Sequence, residues 1–516
     1  MNKIIPSLVG SLSLLVLSGG AGAAPKPHHD VQAGDDAVAR APVGEVARTT
    51  DHEITLQGRT IHYQATAGTL TLRNHVGEPI ASMFYIAYTV PRAKGAPERP
   101  VTFLFNGGPG SASLWLNIGA FGPMIAVTAK PGITPAPPYA FVANRDCLLN
   151  KTDLVFLDAI GTGYSRIIGK GRDSQFWSVD GDVNSFAQAI VRYIELNHRW
   201  NSPKFLYGES YGTTRAAALA YALHIQEIEV SGVILQSSIL NFARSLPGLD
   251  EQYIDLLPSY AAAAWYHHRA KNAPADEMTY IKEVEVFARG PYAEALAEGD
   301  EISPAHEAAI AKQMSDYIGV PVEYVERSHL RIRMESFRRE LLGDQDLVIG
   351  RFDSRYEWPA LGATGHYNPA TDDPATAAVN GPYVAAFGEV LASLGYSTNL
   401  HYRVLYNEVI EPRWNMQHVA PGLDEPLPLP DTALDLAATM RANPDLHLLS
   451  LNGLYDMSTP FFGTEFDLSH MLLPRSVIQN ITIKYYQSGH QLYSNPKVLD
   501  QMTADLDRFY GEAVGY

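Results

Sequence analysis

Cysteine is almost missing from this sequence: Cys147 stands alone in 516 residues. A single thiol excludes a disulfide framework and a cysteine-ligated zinc site together. Basic residues are scarce as well, 39 Lys and Arg against 56 Asp and Glu, for a formal charge of −17. Holding a phosphate backbone takes clustered Lys and Arg, so no nucleic-acid partner is expected. Beyond residue 23 there is no long uncharged apolar run of the transmembrane kind. Repeats of fixed period and low-complexity tracts are absent too. What is there is an ordinary globular composition, 46% apolar and 18% charged, with ample material for a large core.

The amino terminus has its own pattern. Lys3 precedes an apolar run from Ile4 to Leu17, and small residues follow, ending in Ala21-Gly22-Ala23. A positive start, a short apolar middle and a small-residue end predict a secretory signal peptide over residues 1–23. The run is shorter than the roughly 20 residues a membrane span needs. The expectation is export to a bacterial periplasm or the cell exterior, with no stable membrane anchor once the signal is removed. Residues 24–50, with Pro25, Pro27 and His28-His29, read as a flexible polar lead-in.

Alternating segments at Glu53–Leu56, Thr60–Gln64, Thr69–Arg73 and Met83–Val90 predict antiparallel edge strands joined by glycine-containing turns. Then the pattern changes. Val101–Phe105, Asp153–Leu157, Lys204–Tyr207 and Val230–Leu235 are short apolar runs without strict alternation, as in central parallel strands covered on both faces. Thr213–Ile228, rich in Ala and free of Gly and Pro, reads as a helix. Residues 241–425 read as a mostly helical lid inserted into the core, with helices at Gln252–Ala270 and Pro304–Ile318. Leu446–Leu451 and Ile481–Tyr486 return to buried strands. The predicted architecture is therefore α/β, a mostly parallel sheet built from residues 51–240 and 426–516 and interrupted by the lid.

Three constellations carry chemistry. Lys204–Tyr207 runs into Gly208-Glu209-Ser210-Tyr211-Gly212, a G-x-S-x-G pattern between a strand and a helix. A nucleophilic serine must stand clear at a sharp turn, and the helix behind it offers N–H groups to a developing oxyanion. The bland alternative is a glycine-rich turn with an ordinary serine. Serine needs a base held by an acid. The two late strands run into Asp456 and His490, each just past a carboxyl end, where an open α/β sheet builds its site. The third is Asn106-Gly107-Gly108-Pro109-Gly110 after Val101–Phe105. A phosphate cradle would want a lysine beside it, and none occurs from Asn106 through Ala129, so an oxyanion loop is the better account. No metal or organic cofactor is signalled by any ligand cluster.

With these segments in hand, the sequence resembles the serine carboxypeptidase family of α/β-hydrolases. The resemblance rests on Asn106–Ser111, Phe156-Leu157-Asp158 with Gly161–Ser165, Gly208–Gly212, Gly453–Asp456 with Thr459-Pro460, and Gly489-His490, in family order. It implies Ser210 as nucleophile, His490 as proton shuttle and Asp456 as its orienting acid. It also implies an oxyanion hole from the backbone of Gly108 and Tyr211. A substrate carboxylate would be bound by Asn106, Gly107 and Glu209, and the substrate would be a peptide. Glu209 can donate to a carboxylate only when protonated; its bland reading is a buried polar residue beside the elbow. The pattern departs from the family where a second acidic residue is expected, at Ala120. Two alternatives stay open: an esterase or acyltransferase on the same triad, and a non-catalytic binding protein on a hydrolase scaffold.

Overall fold

A computed structural model describes residues 40–129, 131–132, 134–360 and 373–515. The expected signal peptide and most of the expected lead-in lie outside these residues. Five short strands form the heart of a central sheet: β4 (Val101–Phe105), β5 (Asp153–Leu157), β6 (Lys204–Glu209), β7 (Gly232–Gln236) and β8 (His447–Gly453). Every residue of β4 to β7 is buried, which explains why they read as continuous apolar runs. At one end come β1 (Ala47–Leu56), β2 (Arg59–Arg73) and β3 (Pro79–Thr89), and at the other β9 (Ile481–Tyr486). The order is β1-β2-β3-β5-β4-β6-β7-β8-β9, with Arg166–Ile167 added alongside β3. From β5 to β9 all pairings are parallel, whereas β1, β2 and β3 join antiparallel.

Two segments differ from their sequence reading. β1 begins at Ala47, inside the stretch expected to be a lead-in. Thr60–Gln64 and Thr69–Arg73 are one strand, β2, with Gly68 inside it. The glycine marks a close approach rather than a turn: a Cβ there would meet the Val46 carbonyl at 2.8 Å and the Tyr85 ring at 2.9 Å.

Helices α1 (Val179–Leu196) and α2 (Tyr211–His224) pack with one half of the core, and the carboxyl-terminal helix Pro496–Val514 packs with the other. The inserted region carries helices Glu251–Tyr266, Glu277–Phe287, Pro304–Ile318 and Pro374–Ser393. Its first part has an apolar core of its own, onto which Leu454 and Tyr455 also pack. Among the described residues no helix is long and apolar enough to cross a membrane.

His418, on the returning arm of the insertion, is clamped between Asp180 at 2.6 Å in the first turn of α1 and Asp435 at 2.8 Å in helix Ala433–Ala442. Burial disfavours its charged form, but the two carboxylates outweigh burial and push the imidazole up to about 9. A folded-state pKa above the unfolded value contributes stability in full below about 6.5, lost as pH rises through about 9. Thermal unfolding should show Tm falling between pH 6.5 and 9.5, and His418→Gln should flatten that fall while lowering Tm at pH 6.

Candidate active site

The carboxyl ends of β4, β6, β8 and β9 deliver four loops to one edge of the sheet, the place where such sheets build sites. Between β6 and α2 lies a single residue, Ser210, at φ 60° and ψ −131°. A non-glycine residue at such angles costs about 1–3 kcal/mol and persists only when its surroundings force it. Here they do. A Cβ on Gly208 would stand 2.0 Å from the Gly212 carbonyl, and one on Gly212 would stand 2.7 Å from the Phe105 carbonyl. The Ser210 amide donates to the Gln236 carbonyl at 3.0 Å. Its side chain is half-buried at the mouth of the turn.

β8 ends at Gly453 and β9 at Tyr486, paired in register, and the turns beyond them bring Asp456 and His490 together. His490 Nδ1 lies 2.7 Å from Asp456 Oδ2. The same oxygen accepts from the Thr459 hydroxyl at 2.6 Å, and Oδ1 accepts from the Ser458 and Thr459 amides at 2.8 and 3.1 Å. With Nδ1 as donor, Nε2 is left as the basic nitrogen. Burial works against the charged ring, but Asp456, with Glu209 beyond it, raises the imidazole above its ordinary value. Among the described residues the His490 ring bonds to Asp456 and Thr459 and not to Ser210 Oγ; nucleophile–base contacts commonly tighten only when substrate binds.

The Asn106–Gly110 loop lies against the elbow. A Cβ on Gly107 would be 2.5 Å from the Tyr211 amide nitrogen, so only glycine permits this approach. Gly108, at φ 109°, is exposed. Among the described residues, neither the Gly108 amide nor the Tyr211 amide, at the N-terminus of α2, donates a hydrogen bond. Two free donors next to the serine can receive a developing oxyanion. The Asn106 carbonyl accepts from Arg215, a fully buried guanidinium that also grips Asp182 at 2.6 and 3.2 Å and stacks on Phe186. Sequence reading missed this anchor, because nothing in the spacing of Asp182 and Arg215 separates them from other charged residues on a helix.

Glu209 is 3% exposed. It accepts from the Gln236 amide at 3.1 Å, and Gln236 in turn accepts from the Tyr207 hydroxyl at 2.7 Å. Burial pushes this carboxyl up to about 7, against the opposing pull of His490, Tyr493 and Asn106. Ala120 is buried in the turn Trp115–Phe121. Tyr260 stacks on Phe337 at 4.0 Å, and Trp265 donates to the Pro274 carbonyl, both within the insertion. Among the described residues no His, Cys, Asp and Glu group is arranged to hold a metal ion.

The serine carboxypeptidase family model matches residues 59–292, a stretch that contains the Asn106 loop and the Ser210 elbow. Over that stretch the chain is similar to the serine carboxypeptidase family. In structure the chain is similar to the prohormone-processing carboxypeptidase of Saccharomyces cerevisiae, at 15% identity over 87% of this chain and 92% of that one, TM-score 0.53. It also aligns with a haloalkane dehalogenase from Bradyrhizobium elkanii (13% identity, 90% and 98% covered, TM-score 0.33). A thermostable carboxyl esterase from Bacillus coagulans aligns at 10% identity, 86% and 98% covered, TM-score 0.34. No curated protein matches the chain. The fold is that of the α/β-hydrolases.

Proposed function

We propose that the protein is an exported serine-type carboxypeptidase that releases a C-terminal amino acid from peptides through an acyl-enzyme. The observation that carries the reading is Glu209: a buried carboxyl beside the nucleophile, pushed up to about 7. A protonated acid there can donate to a substrate's terminal carboxylate, with the Asn106 side chain and the Gly107 backbone alongside. Binding of a neutral ester does not require such a donor.

The chemistry follows from the arrangement. His490 Nε2 takes the proton of Ser210 as Oγ attacks the scissile carbonyl, and Asp456 steadies the imidazolium. The oxyanion lies between the Gly108 and Tyr211 amides. The scissile C–N bond breaks as His490 protonates the leaving amine, and the free amino acid departs. Water, deprotonated by the same imidazole, then attacks the ester on Ser210 and releases the shortened peptide.

The purified protein should be incubated from pH 4.5 to 8 with blocked dipeptides bearing a free or an amidated C-terminus, and with an aryl ester. Cleavage of the free-acid peptide alone among the peptides supports the reading; ester turnover with both peptides inert replaces it with an esterase. Because donation needs the protonated form, KM for free-acid peptides should be low below pH 7. Above the Glu209 pKa it should rise about tenfold per pH unit. Glu209→Gln, whose amide donates at every pH, should flatten the pH dependence of that KM, and Glu209→Leu should raise it at pH 5.5, both leaving ester turnover near wild type. Equal losses on ester and free-acid peptide would deny Glu209 this role.

A further inference from the structure

We propose that a strap from the insertion, Arg351–Arg355, positions both His490 and Asp456, so that the insertion is part of the catalytic apparatus and not only a cover. The strap joins two short strands, Leu347–Ile349 and Glu357–Pro359. It touches the histidine turn at four successive residues. Arg355 donates to the Gln487 carbonyl at 2.7 Å and to the Ser488 hydroxyl at 3.3 Å. Asp353 accepts from the Gly489 amide at 3.2 Å, and the Phe352 carbonyl accepts from the His490 amide at 2.6 Å. The Phe352 ring lies 5.1 Å from the imidazole. A Cβ on Gly489 would stand 2.3 Å from the Phe352 carbonyl, so this glycine exists to let the strap in.

The aspartate turn is held by the same segment. The Ser354 amide donates to the Tyr455 carbonyl at 3.0 Å, the Met457 amide to the Arg351 carbonyl at 3.2 Å, and the Arg351 guanidinium to Ser458 Oγ at 3.1 Å. The far side is anchored in the insertion: Asp373 accepts from the Arg351 amide and pairs with buried Arg338 at 3.3 Å. At the centre Arg355 and Asp353 form a bidentate pair at 2.9 and 2.6 Å, with side chains only 8% and 5% exposed. Buried ion pairs are poor sources of stability, and apolar residues of similar volume commonly replace them without loss. This one directs its remaining hydrogen bonds to the backbone that carries the base. A small displacement of a catalytic group can cost about a hundredfold in rate, so the pair's value lies in geometry.

The inference rests on the Ser210, His490 and Asp456 roles of the proposed function but not on its peptide specificity, so the test uses an aryl ester and a fluorophosphonate. The double variant Asp353→Leu with Arg355→Met removes the pair while keeping volume. It is expected to stay folded by Tm, with kcat and the Ser210 labelling rate falling together by about a hundredfold and ester KM unchanged. A folded double variant with wild-type kcat and labelling rate overturns the proposal. If it fails to fold, Arg355→Lys decides. Lysine lacks the fork that spans Asp353 and Gln487, so about a tenfold kcat loss is expected, and a wild-type rate overturns the proposal. Wild-type protein that turns over the ester but leaves free-acid peptides intact would sink the carboxypeptidase reading and leave this test standing.

Discussion

Ser210→Ala should lower kcat on a free-acid peptide by about a millionfold, the scale seen when a triad serine is deleted. The elbow has no substitute. Thr213, the nearest aliphatic hydroxyl along the chain, is committed to the backbone carbonyls of Ser210 and Ile239. The half-buried side chain at position 210 contributes no hydrogen bond to folding, and alanine suffers the same positive φ as serine. Tm should therefore hold, and so should affinity for the free-acid peptide by calorimetry, because Asn106, Gly107 and Glu209 are intact. Residual turnover above a hundredth of wild type would mean that another group attacks the substrate.

Asp456→Asn should cost about ten-thousandfold in kcat. The asparagine has nearly the same shape, but of its two side-chain ends only the oxygen can accept. The Ser458 and Thr459 amides already require an acceptor at Oδ1, so the new NH2 group would face His490. The imidazole would then accept at Nδ1 and present an N–H to Ser210, the wrong tautomer for a base. A rate measured across pH 5–10 separates this from misfolding, since activity should partly recover at high pH, where serine ionises more readily. A loss below tenfold would show that Asp456 does not orient the base.

Much of this site was readable because its parts are local. The fully buried strands β4 and β5 are apolar runs bounded by polar residues, and their extents match those runs. The glycines flanking Ser210 encode a steric demand within five residues. Asp456 and His490 follow strands β8 and β9 directly, so locating the strands locates the side chains. Gly68 misleads because the same residue type serves a turn and a close approach, and only the position of Tyr85 tells them apart. The Arg351–Arg355 strap was not legible for a deeper reason. It reaches Gln487–His490 across more than 130 residues, largely through carbonyl and amide groups that every residue carries. Arg215 and Asp182 are 33 residues apart on different helices, and their meeting beneath Asn106 depends on how α1 and α2 pack.

The most direct test is covalent. The protein is treated with a fluorophosphonate, digested and mapped by mass spectrometry, alongside His490→Ala. One adduct per chain on the peptide carrying Ser210, formed far more slowly in His490→Ala, is the predicted result. An adduct on a different residue, or Ser210 left unmodified while ester turnover continues, would contradict it.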